Sequence, residues 1–184
     1  GFGRRFLAMS AAELHAAVVY QVGALRAMLE ARGMRLHHVK AHGALYLQMA
    51  RDDATATAVA RAVSHVAPEA PLVVLGGPGG DKMRAAAAAC GARSVDEAFP
   101  DRAYDSAGNL VPRSHPRSLI RDPEAAAERA VAMVTLGRVE ALDGSQASIR
   151  AETLCVHGDN PEAVQIAAAV RRGLAANGVE LRAF

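Results

Sequence analysis

The sequence contains no tryptophan, and aromatic residues make up only 4% of its 184 positions, so its core must be built from aliphatic side chains and alanine. Lysine is almost missing as well: Lys40 and Lys82 are lysines, and the other basic residues are arginines. Cysteine occurs twice, at Cys90 and Cys155, outside any C-x-x-C pair. That excludes a disulfide framework and a dithiol redox motif, and it fits a reducing, cytoplasmic setting. No stretch of about 18 apolar residues is free of charge, which excludes a membrane-spanning helix. The opening residues lack the apolar region of a secretory signal. Charge of one sign is not in excess either. The formal net charge is +2 and both signs are interspersed, which argues against disorder and against a nucleic-acid-binding surface. The G-x-S-x-G elbow, H-E-x-x-H and a Walker ending are absent, so those nucleophile, zinc and phosphate-loop chemistries have no support here.

What is present alternates. Ser10-Ala-Ala-Glu13 forms a capping box, and Leu14, Val18, Val22, Leu25 and Leu29 follow at helical spacing up to Gly33. Further helices are expected over about Asp53 to Val66, from Gly80 through Cys90, from Pro123 to Gly137 and from Asn160-Pro161 to about Ala176. Short strands are expected at Met34 to Lys40, Pro71 to Leu75, Ser94 to Phe99, Thr153 to Val156 and Val179 to Phe184. Asp143-Gly144 reads as a tight turn between two further strand-like runs, and residues 100 to 121 as a long connection with a small hairpin at Asp105 to Asn109. Helix alternating with strand argues for a parallel α/β sheet or barrel formed by a single domain over 1–184. The order opens with a helix that no strand precedes, half of a β-then-α unit.

In such folds the sites lie beyond the carboxyl ends of the strands, and four polar groups fall there. In His38-Val-Lys40-Ala-His42, alternate residues share a strand face, so a lysine and a histidine would project together. That pairing suits anion binding and proton transfer, and a barrel interior would leave Lys40 desolvated. His37 and His38 read instead as solvated or core-satisfied imidazoles. Glu97-Ala-Phe-Pro-Asp101-Arg102-Ala-Tyr104, with Arg113 beyond, offers acids, guanidinium groups and a phenol in one loop. Asp101 and Arg113 are balanced between a substrate contact and an internal ion-pair network. His157-Gly-Asp159 sits before a helix start, where the two side chains could form a hydrogen-bonded base pair. Gly76-Gly-Pro-Gly-Gly80 lies between a strand and a helix, where phosphate cradling is one reading, but it fits neither the Walker nor the dinucleotide pattern at its proper spacing and reads better as a plain tight loop.

These blocks, in this order, resemble the LamB/YcsF family: Gly1-Phe-Gly-Arg-Arg5, Tyr20-Gln21, Val39 through Tyr46, Glu97 through Tyr104, Val111-Pro-Arg113 and Cys155 through Asp159. Ala41 stands where that family usually has proline, and Pro100 where alanine is usual. The resemblance implies an incomplete TIM-like (β/α) barrel of the glycoside hydrolase/deacetylase type. Acidic and histidine-bearing segments that the family carries before the first block are not in this sequence. The chain is therefore expected to be the C-terminal three quarters of the barrel.

The reaction implied is cleavage of the lactam 5-oxoproline to L-glutamate, driven by ATP with Mg2+, in complex with two further subunits. Phosphate transfer to the lactam oxygen would make a poor electrophile attackable by water. The roles implied are phosphate contacts by Lys40 and Arg102, a substrate-carboxylate contact by Arg113 and proton transfer by His157 aided by Asp159, or by Glu97. His42 joins the catalytic set, and Tyr104 the substrate-binding one. Two other readings remain: a metal-dependent amide or carbohydrate deacetylase using His42 and His157, and a non-catalytic subunit that binds a small anionic substrate.

Overall fold

Residues 4–184 are described by the structure, a computed structural model, so Gly1 to Gly3 of the opening block lie outside the described residues. The chain divides into two compact units, Gly1–Leu75 with Gly79–Val95, and Gly76–Pro78 with Asp96–Phe184.

The first unit begins with α1 (Ala11–Glu30), whose capping box is complete: Ser10 accepts from the Glu13 backbone N–H and the Glu13 carboxylate accepts from Ser10. Gly33, at φ +68°, supplies the left-handed turn after it. The helix buries no residue fully and lies against α3 (Asp53–Val66), where a side chain on Gly23 would come within 3.3 Å of Val66. Between them is α2 (Ala44–Met49), a six-residue helix that the sequence pattern does not announce. Alanine is what makes α3 central. Ala56, Ala58, Ala60, Ala62, Val59 and Val63 are all buried, and small side chains let α1 and α4 (Gly80–Ala89) pack against it. Strand β1 (Leu72–Leu75) is followed by α4 and then by β2 (Ser94–Ala98), whose approach pairs through the Leu72 N–H to Arg93 O at 2.8 Å. The strand expected at Met34 to Lys40 reduces to one parallel bridge, Val39 with Leu72. Its ladder consists of Val39 N–H to Pro71 O and Val73 N–H to Val39 O, and the residues on either side of Val39 are solvent-exposed.

The second unit takes over β2 at Asp96. It continues through α5 (Pro123–Leu136), the hairpin β3 (Arg138–Glu140) and β4 (Gln146–Ser148), β5 (Thr153–Leu154) and α6 (Ala163–Ala176). β2 and β5 run parallel with Glu97 opposite Thr153 and Ala98 opposite Leu154. α5 and α6 pack face to face over Ala126, Ala130, Ile166, Val170 and Leu174, ringed by Leu154, Val156 and Val179. Truncating the fully buried Ile166 to alanine would cost about 2–5 kcal/mol. Both ends of α5 follow the sequence: Asp122 accepts from the Ala125 N–H at 2.7 Å, and Gly137 closes the helix in the left-handed conformation.

Two expectations differ here. Asn160-Pro161 forms a turn before α6 rather than its first residues. Val179 to Phe184 is not a strand, because the Val179 N–H closes α6 on Leu174 O and its side chain joins the helix core.

Candidate functional site

The second unit holds its polar residues in a loop that the main chain grips from two sides. After β2 the chain passes through Asp101, Arg102, Ala103 and Tyr104, all buried. The Ile120 N–H donates to Asp101 O, the Ala103 N–H to Ser118 O, and the Val111 N–H to Ala103 O. Antiparallel bridges Arg102 to Leu119 and Tyr104 to Leu110 complete the frame. Arg102 belongs to this frame: its guanidinium donates to Ser118 O at 3.2 Å and to Val111 O at 2.7 Å. Burial first, then the charge of Arg113, lowers its pKa from the ordinary arginine value, while Asp101, Tyr104 and Asp159 pull the other way. The Tyr104 hydroxyl accepts from the Phe99 N–H at 3.0 Å, and burial pushes its pKa above the ordinary tyrosine value, so it stays protonated. Arg129, reaching in from α5, donates to Arg102 O and Glu140 O, both at 2.9 Å.

Within that frame sits a charge pair. The Asp101 carboxylate is wholly buried, and its Oδ2 lies 2.8 Å from His157 Nδ1 and 2.9 Å from the His157 backbone nitrogen. The imidazole also stacks on the Phe99 ring, with centroids 5.5 Å apart and planes at 21°. One edge of His157 is thus fixed by a carboxylate and one face by a ring, while about a quarter of the side chain remains accessible. Asp159, two residues on, is exposed and pairs with Arg113 at 3.2 Å. The pairing of His157 with Asp159 expected from their spacing is replaced by two separate pairs, His157 with Asp101 and Arg113 with Asp159. Glu97 is buried at the carboxyl end of β2, opposite Thr153.

The first unit carries Lys40 and His42. Both are exposed, so Lys40 is not the desolvated ammonium that a closed barrel interior would make it; its Nζ stands 5.5 Å from the centroid of the Tyr46 ring. His37 and His38 are also exposed, and their Nδ1 atoms lie 3.0 Å apart.

The glycine-rich segment is explained by packing. A Cβ on Gly80 would fall 1.6 Å from Leu75 O, one on Gly76 1.9 Å from Arg150 O, and one on Gly77 2.2 Å from Gly108 O. Main chain approaches Gly76, Gly77 and Gly80 too closely for any side chain, so packing sets the residue type at these three positions. Neither Cys90 nor Cys155 is in a disulfide, and among the described residues no three His, Cys, Asp or Glu side chains converge as a metal site.

The model of the LamB/YcsF family matches residues 1–184. The chain is 55% identical over 184 residues to the 5-oxoprolinase A subunit of Thermus thermophilus, covering all of this chain and 72% of that protein. It is 50% identical over 181 residues to the corresponding 5-oxoprolinase A subunit of Deinococcus radiodurans, covering 98% of this chain and 70% of that one. The crystal structure of a lactam utilization protein from Thermus thermophilus superposes with a TM-score of 0.91 at 54% identity, covering all of this chain and 72% of that one. The chain belongs to the LamB/YcsF family.

Of the residues singled out from the sequence, this LamB/YcsF chain places Glu97, Arg102, Tyr104, Arg113, His157 and Asp159 in its second unit and Lys40 and His42 in its first. Asp101 stands outside the catalytic set that the sequence suggests, yet it is the carboxylate that contacts His157. Fifty-six positions separate them, so local spacing holds no trace of the pair. The available signal is an aspartate three residues beyond a strand end, between a proline and an arginine.

Proposed function

We propose that this protein acts on the lactam 5-oxoproline, opening its ring to give L-glutamate, as the A subunit of a multi-subunit 5-oxoprolinase. The observation that carries this reading is the 55% identity, along the whole chain, to a protein of that name. The second unit supplies chemistry to match. Arg113 is a half-exposed guanidinium beside the histidine-bearing turn, suited to bind the substrate carboxylate bidentately. His157 is a half-buried imidazole held at a fixed angle, suited to take a proton from an attacking water. Arg102 and Tyr104 hold the loop that presents them. Lys40 and His42 join the set as an exposed cation and imidazole, and Glu97 as a second carboxylate. A (β/α) barrel of the glycoside hydrolase/deacetylase type, two partner subunits and a cytoplasmic location complete the reading.

ATP with Mg2+ is the co-substrate in this proposal, supplying phosphate to activate the lactam oxygen. Lys40, an exposed cation, and Arg102 are the groups this reading offers to its phosphates. Assembly with those partners, followed by measurement of glutamate released from 5-oxoproline with and without ATP, tests the reading. ATP-dependent release is expected. Release without ATP that is lost on chelation would overturn it.

A further inference from the structure

His157 is held by Asp101 rather than by its sequence neighbour Asp159, and the contact is specific to one ring atom. Asp101 Oδ2 lies 2.8 Å from Nδ1 and 2.9 Å from the main-chain nitrogen of the same residue. The main-chain nitrogen can only donate, so the oxygen that receives it is a carboxylate acceptor, and Nδ1 approaches that same atom. With Asp101 as the carboxylate, an acceptor at this distance calls for the proton on Nδ1. In the neutral ring the other nitrogen, Nε2, then carries the lone pair. Phe99 stacks on the ring, with centroids 5.5 Å apart and planes at 21°. The other carboxylate oxygen, Asp101 Oδ1, is buried with no hydrogen-bond partner among the described residues. The charge of Asp101 is therefore answered mainly on the His157 side, with Arg102 close enough for its charge to be felt.

We propose that Asp101 is the positioning residue of this site, holding His157 with its proton on Nδ1 so that Nε2 is the proton acceptor, while Asp159 acts on Arg113 instead. The part concerning water attack rests on the function proposed above; the part concerning the proton does not. When Nε2 takes a proton from water, the imidazolium forms beside a buried carboxylate already in place, so no charge has to move or be rehydrated. Asp159 is exposed and on the far side of a glycine from His157, and it pairs with a guanidinium. Its loss would loosen substrate binding rather than the proton transfer.

The test reads the ring directly. In the 15N-histidine-labelled chain, His157 should show a protonated Nδ1 and an unprotonated Nε2, and Asp101→Asn should reverse that order or mix the two forms. Asp159→Asn should leave it unchanged. In the assembled complex Asp101→Asn should lower kcat by about 10²–10⁴-fold with little change in KM, whereas Asp159→Asn should raise KM. Should Asp101→Asn fold poorly, the labelled native chain alone still decides. A proton on Nε2 in the native chain would overturn the proposal, as would a His157 signature insensitive to Asp101. A complex that does not act on 5-oxoproline at all would overturn the proposed function and leave the ring measurement standing.

Discussion

Lys40 and His42 in the first unit and Asp101, Arg102 and Arg129 in the second present their charges in opposite ways. In the first, Lys40 and His42 stand at the surface, and the Lys40 ammonium is set over an aromatic ring. In the second, Asp101, Arg102 and Arg129 are drawn into the interior and held by main-chain atoms as much as by one another. An exposed charge can be removed at little cost to folding, whereas a buried one leaves its partners unsatisfied in a medium that does not replace water. The same kind of substitution should therefore report on function alone in one unit and on stability as well in the other.

The sharpest break in that contrast is Lys40→Met. It should abolish 5-oxoproline-dependent ATP turnover in the assembled complex while leaving the Tm of the chain unchanged; near-normal turnover would remove Lys40 from the catalytic set. Arg129→Met should do the reverse in the second unit. It strips the donors from Arg102 O and Glu140 O, at a cost of about 2–4 kcal/mol in a urea titration. A loss below about 1 kcal/mol would mean that water replaces the guanidinium. Asp122→Ala, which removes the cap of α5, is expected to cost about 1 kcal/mol by the same measurement.

Acid should separate surface from interior more gently. Asp52, hydrogen-bonded first to the Thr55 side chain and then to its N–H, and Asp143, bonded likewise to Ser145, have pKa values held below the ordinary aspartate range. A depressed folded-state value means their stabilisation is full above the unfolded value of about 3.9 and fades as pH falls through the lower folded value. Stability followed from about pH 5 to about pH 2 should decline in that window, and less so in Asp52→Asn. An identical decline in the variant would show that Asp52 plays no part.

Local rules made most of the fold legible. The capping box at Ser10, the Asp122-Pro123 start, the Gly137 stop and the Asp143-Gly144 turn each depend on residues within a few positions of one another, and each stands where the sequence placed it. What was not legible depended on distance. Whether Met34 to Lys40 becomes a strand is decided by how far β1 accompanies it, and that contact reaches one residue. α2 is too short for its periodicity to register. The candidate site divides in the same manner. The residues were visible as polar clusters at strand ends, but the exchange of partners that gives Asp101 to His157 and Asp159 to Arg113 follows from tertiary approach across the loop.

The glycine-rich turn after β1 carries one more consequence. Of all the segments in the sequence it looks the most permissive, yet carbonyl oxygens occupy the space where side chains would begin at Gly76, Gly77 and Gly80. If every position were varied and variants selected for folding, these three should come back as glycine, while Gly144, which has a positive φ but open space around it, should admit asparagine or aspartate. The loop works as a welded joint: its flexibility as a sequence is consumed in letting backbone touch backbone.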